Sequence, residues 1–309
     1  MWLPALVTGT VIVGTVIADG LCPSARASTA SDRYNLGLQY LKHNNRAAAL
    51  KEFNAAIAIQ PEYVDALYQR ASIYCSLEQG AKAFEDCNKV IAADPQGKRF
   101  PEVFTFRAQA DRQLELPDKI VPDCTKALSL GSSNKELLYN LRVYGYRNTG
   151  KVKEAIADLT TLLDKFKVGN ADRLLRARSE LFEQDKKPEK AAEDLYKALA
   201  INPRYDACYE QLARIHEHMG KPDKAVEDFS ALIKINPDDE AMLLERGQLK
   251  MRMGRYSEAL ADINKCISID PNLTSKMYVN RAEIYTKLGK PDLAAQDKAK
   301  AAKMLQRDL

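Results

Sequence analysis

Residues that carry chemistry are scarce in this chain. Only three histidines are spread over 309 residues, and His216 and His218 stand two apart, so a helix turns them to different sides and they cannot share a metal there. Glycine-rich phosphate loops, Gly-x-Ser-x-Gly and His-Glu-x-x-His are all missing. These absences point away from an enzyme, and no catalytic, cofactor-binding or metal-binding residue is assigned. An excess of charge of one sign is missing too. With 46 basic and 42 acidic residues the net charge is +4, which gives no case for nucleic acid, a partner that needs many clustered phosphate contacts. The six cysteines follow neither a zinc spacing nor a disulfide framework, and the five beyond Cys22 are odd in number. Cys87, Cys124 and Cys266 instead suit small apolar filler.

What the chain does have is a period. Pro203, Pro237 and Pro271 stand 34 residues apart, as do Gly220 and Gly254. A fixed spacing in this range signals a repeat array. Within residues 206–239, Tyr209, Ala213 and His216 share one helical stripe and Ala225, Phe229 and Leu232 another, so each unit reads as two helices. Ala213 and Ala225 mark close approach of the two backbones. Gly220 ends the first helix, Pro222 with Asp223 opens the second, and Pro237 stops it.

With large residues at the fourth and twenty-fourth positions, small ones at the eighth, twentieth and twenty-seventh and Pro at the thirty-second, the unit resembles a tetratricopeptide repeat. The resemblance implies an all-α, right-handed superhelical solenoid of about eight helix-turn-helix repeats, at 30–63, 64–97, 101–134, 136–169, 172–205, 206–239, 240–273 and 275–308. Three residues, Lys98 to Phe100, interrupt the period before the third unit. The fourth unit is the least regular, with Val143 and Leu162 where small residues are expected, so a local distortion or hinge is expected near residues 143–171. Lys298, at a normally apolar position of the last unit, suits a terminal helix.

Arginine recurs at the seventh position of six units (Arg70, Arg107, Arg142, Arg178, Arg246, Arg281). Aspartate recurs at the twenty-third of seven (Asp86, Asp123, Asp158, Asp194, Asp228, Asp262, Asp297). Bidentate Arg–Asp pairs inside each hairpin, or across to the next, are expected, and they serve structure.

In the family that the unit resembles, the concave wall is lined by the first helix of each repeat. Carried onto this chain, the candidate groove residues are Tyr34, Leu38 and Tyr68 at an apolar, aromatic end and Arg112, Asn140, Tyr144, Arg147, Arg173 and Arg176 in the middle. Beyond them Glu180, Glu183 and Arg214 make a mixed stretch. Such a wall suits a peptide with an apolar anchor and acidic groups. Equally, the tyrosines could pack on adjacent helices and the arginines pair with Glu180 and Glu183. The clamp by which some members grip a chaperone's terminal carboxylate has no counterpart, since its Lys and Asn positions hold Tyr34, Leu38, Gln69, Glu102 and Phe106.

Residues 1–27 stand outside the array. An apolar run from Trp2 to Ala18 precedes Ala25-Arg26-Ala27, a pattern resembling a signal peptidase site. An exported, periplasmic or extracytoplasmic protein is expected. An uncleaved membrane anchor over residues 2–18 is the alternative, and the only expected membrane contact. Together these features suggest a scaffold of the bacterial cell envelope binding a protein or peptide in its groove. The second reading is an assembly factor or regulatory subunit that contacts an envelope enzyme through an outer helix face.

Overall fold

The computed structural model describes residues 28–306; the expected signal or anchor at 1–27 lies outside the described residues. Among the described residues there are sixteen helices and no strand, paired into eight hairpins. These are α1 (Ala30–Lys42) with α2 (Arg46–Ile59), α3 (Val64–Ser76) with α4 (Gly80–Ala93), α5 (Val103–Gln113) with α6 (Pro117–Ser129), and α7 (Lys135–Asn148) with α8 (Val152–Lys165). There follow α9 (Ala171–Gln184) with α10 (Pro188–Ile201), α11 (Asp206–His218) with α12 (Pro222–Ile235), α13 (Glu240–Arg252) with α14 (Tyr256–Ile269), and α15 (Ser275–Lys287) with α16 (Pro291–Leu305). Each helix packs on its neighbours in sequence, making an all-α repeat solenoid.

Local chemistry places the helix ends. Thr29 and Asp32 cap α1 reciprocally, and Pro117, Pro188, Pro222 and Pro291 open their helices, where a missing N–H costs nothing. Gly220 and Gly254 leave α11 and α13 at φ +67° and +75°. Asn44, Glu78, Glu115 and Lys186 hold the same left-handed turn elsewhere without glycine's freedom. Small residues at the eighth position allow the hairpin to close. A Cβ on Gly37 would stand 2.5 Å from the Phe53 ring.

The core runs between the two helix layers as linked apolar clusters. Phe53, Leu67, Ile120, Leu159, Leu195 and Leu212 are fully buried along it. Cys87, Cys124 and Cys266 are buried free thiols inside it, and burial pushes the Cys124 thiol up to about 12, as inert filler requires. The inserted residues at 98–100 form an ordered loop. The Asp94 carboxylate accepts the backbone N–H groups of Lys98, Arg99 and Phe100, Arg99 grips Asp65 at 2.6 Å and 2.7 Å, and Phe100 enters the core. The Arg99 amide and its companions hold the Asp94 carboxyl below its usual range.

All six Arg–Asp pairs form inside their hairpins, with Nε and Nη2 donating to the two carboxylate oxygens at 2.6–2.9 Å. The remaining nitrogen does a second job. Nη1 reaches the preceding hairpin at its twenty-fifth position, donating to Asn54, Asn88, Thr125, Thr160, Ser230 or Asn264 at 2.7–3.3 Å. One guanidinium thus closes its own hairpin and ties it to the last.

The fourth repeat, where a local distortion or hinge is expected, is closely packed. Val143 and Leu162 are buried with Leu159, Leu174 and Leu181, so their bulk fills the space between α7, α8 and α9. Arginine ties hold this hairpin on both sides, Arg142 to Thr125 and Arg178 to Thr160. The break in the pattern falls one junction later. Leu212 occupies the arginine position of α11, and Asp228 pairs instead with Nδ1 of His216 at 2.6 Å.

Candidate functional site

The structure resolves the candidate wall into three stretches. At the first, Tyr34 is half-buried edge-on against Tyr63, with ring centroids 5.3 Å apart, and packs on Phe53 at 5.8 Å. Tyr68 sits between Phe100 at 4.9 Å and Phe106 at 5.4 Å. Burial raises both phenol pKa values, and Leu38 is half-buried in the Tyr34 cluster. This end of the wall is filled by the array's own packing rather than left as an open pocket.

The third stretch, α9 to α13, is a lattice of charge pairs. Glu180 is shared by Arg147 and Arg176, each at 3.0 Å, Glu183 meets Arg214 at 3.3 Å, and Arg252 pairs with Glu217. Arg176 also lies over the Tyr205 ring, whose hydroxyl raises its pKa. Arg173 is exposed at the start of α9. The pairing of arginines with Glu180 and Glu183 is therefore observed, and it leaves little of this stretch open to a partner's charge.

Between them α3, α5, α7 and α9, the first helices of their hairpins, leave two open cavities. One, of about 490 Å³, is lined by Cys75, Ser76, Glu78, Gln109, Arg112, Gln113 and Leu141. The other, of about 510 Å³, is lined by Asn140, Val143, Tyr144, Arg147, Asn148, Leu181 and Gln184. The Arg112 guanidinium carbon stands 6.0 Å from the Tyr144 ring centroid, so these two residues bridge the cavities.

Amide side chains stand in both linings, Gln109 and Gln113 in one and Asn140, Asn148 and Gln184 in the other. Asn140 and Asn148 each donate one N–H back to their own helix, to Glu136 at 3.0 Å and Tyr144 at 2.8 Å, and Gln113 donates to the Cys75 carbonyl at 3.2 Å. Each side-chain carbonyl oxygen is uncommitted among the described residues. Neutral groups that can both donate and accept suit a polypeptide main chain, which needs both along its length. Of the sequence candidates, Arg112, Asn140, Tyr144 and Arg147 come together here. Tyr34, Leu38 and Tyr68 lie apart in the packed end, and Arg173 and Arg176 lie beyond.

Sequence reasoning passed over Gln109, Gln113, Asn148 and Gln184. Gln109 stands at the ninth position of its repeat, as Leu38 and Tyr144 do in theirs, and Gln113, Asn148 and Gln184 stand at the thirteenth, so their signal is position alone. Among the described residues, no group of three or more His, Cys, Asp or Glu could hold a metal ion, and no helix is long and apolar enough to cross a membrane.

Comparison with known proteins agrees with this architecture. Three family models, each described as tetratricopeptide repeat, match residues 34–98 and 141–207, residues 183–249, and residues 241–273, together more than half of the chain. Among curated proteins, the DnaJ homolog subfamily C member 7 homolog of Dictyostelium discoideum is 30% identical over 110 residues, covering 34% of this chain and 20% of its own length. A tetratricopeptide repeat and J domain-containing co-chaperone of Cryptococcus neoformans is 28% identical over 191 residues, covering 54% and 36%. The chain thus spans about a fifth and a third of these relatives. Among solved structures, the C-terminal part of a TPR repeat-containing protein from Cytophaga hutchinsonii superposes with a TM-score of 0.61 at 16% identity, covering 80% of this chain and 98% of that one.

Proposed function

This chain belongs to the tetratricopeptide repeat family, and we propose that it is a non-enzymatic scaffold that holds an extended peptide or partner segment in the groove formed by α3, α5, α7 and α9. The observation that carries this reading is the pair of cavities of about 490 Å³ and 510 Å³ on either side of Tyr144, lined by amides with free bonding capacity. A main chain laid along them exchanges water for amide partners. Side chains entering the second cavity bury apolar surface against the half-buried Tyr144 ring. The test is capture on an array of degenerate decapeptides by the full chain and by the Asn140→Ala/Asn148→Ala variant. Capture that falls while thermal melting is unchanged supports the reading, and equal capture by the two proteins removes it.

We place the protein at the bacterial cell envelope, as an exported protein or one held by residues 2–18. Supporting this are the apolar run from Trp2 to Ala18 and the Ala25-Arg26-Ala27 pattern after it. Fractionation with N-terminal sequencing tests it. A chain starting after Ala27 outside the cytoplasm supports cleavage, an intact chain in the membrane fraction supports the anchor, and an intact cytoplasmic chain overturns both.

A further inference from the structure

We propose that the groove's ligand carries a carboxylate, and that Arg112 receives it at the wall between the two cavities. The inference rests on the groove reading above and names the chemistry that the groove selects.

It follows from which arginines are already occupied. Arg147 and Arg176 share the single charge of Glu180, Arg214 meets Glu183 and Arg252 meets Glu217, so each of these four already has a carboxylate partner within the array. Arg112 has no carboxylate within ion-pair distance among the described residues, and it is exposed. It also lines an open cavity, which separates it from Arg173, an exposed arginine that lines neither cavity. The Tyr144 ring centroid lies 6.0 Å from the guanidinium carbon, and the guanidinium's fork of N–H donors suits a bidentate carboxylate. The neighbouring Gln109 and Gln113 are neutral, so charge selection at this point belongs to Arg112. Glu78 lines the same cavity, and its charge opposes a second negative group there.

Degenerate decapeptides in three sets test the proposal with the full chain: amidated peptides with one central Glu, amidated peptides with one central Lys, and neutral peptides with a free C-terminus. The expected result is capture of the Glu set or the free-carboxylate set over the Lys set. The preferred set tells whether a side chain or a chain end is the source. Arg112→Ala is expected to cut that preference about tenfold, Arg112→Lys to retain part of it, and Glu78→Gln to raise it. Circular dichroism melting of each variant checks that the fold is intact. Capture without acid preference, or a preference that survives Arg112→Ala, overturns this proposal alone. Capture of no peptide set overturns the groove reading on which it rests.

Discussion

Asp111 is the residue most at odds with its surroundings. It occupies the eleventh position of the third repeat, where other hairpins place an aromatic ring or a cation. Tyr74 and Tyr146 stack under their arginines, His216 pairs with Asp228, and Lys250 reaches Asp262 at 2.9 Å. Asp111 is buried, and both of its oxygens lack a hydrogen-bond partner. Burial, and then the charge of Asp123, push its carboxyl up to about 6. Because the folded pKa lies above the unfolded one, the penalty is absent below about pH 4, grows as pH rises and is complete above about pH 6. Asp111→Asn is therefore expected to leave stability unchanged at pH 4 and to raise it by about 2 kcal/mol at pH 7, read from denaturant midpoints at both. A gain of the same size at both pH values would show that ionisation is not the cause. Strain of another kind sits at Lys186, with φ +57° in a turn that other hairpins give to glycine. Lys186→Gly is expected to stabilise by about 0.5–1 kcal/mol, visible as a higher melting temperature.

At the scale of the hairpin, the Arg–Asp pair is the unit of construction. Its existence was legible in the sequence because two charged residues recurred at fixed positions. The second role of the guanidinium was not, although Asn54, Asn88, Thr125, Thr160, Ser230 and Asn264 also recur at one position. Asn, Thr and Ser share an acceptor oxygen but not a residue type, so a pattern of identities hides them. The same limit explains the groove, where Gln109, Gln113, Asn148 and Gln184 repeat a chemistry rather than a letter. Tyr34 and Tyr68, conspicuous in the sequence, are the ones that packing absorbs. The pair's energetics can be separated by mutation. Asp194 is almost fully buried, so Arg178→Ala leaves an uncompensated charge and is expected to cost about 3–5 kcal/mol. Removing the acid as well, in Arg178→Ala/Asp194→Ala, is expected to return part of that loss. A double variant less stable than the single one would mean that the Asp194 carboxylate makes favourable interactions of its own and that an uncompensated charge is not what the single variant suffers.

Across the whole molecule, stability is a sum of hairpins and the seams between them, so the seam of different construction sets where the array parts first. Every seam from the first hairpin to the eighth carries the seventh-position arginine tie except the one between α10 and α11. There Leu212 replaces the arginine, and Tyr196 stands at the acceptor position with its ring 6.3 Å from His216. The polar tie has moved to the opposite wall. The Gln211 side chain, itself buried, donates to Ser179 Oγ at 2.9 Å and to Glu183 on α9. Gln211→Ala removes both bonds and is expected to cost about 1–2 kcal/mol at this seam. The folded helices on either side keep their own contacts. Native-state hydrogen exchange is therefore expected to show protection falling about 5-fold to 30-fold in α10 and α11, with α3 and α15 unchanged. Equal loss of protection in all sixteen helices would show that the array opens as one body and that this seam is no weaker than the rest.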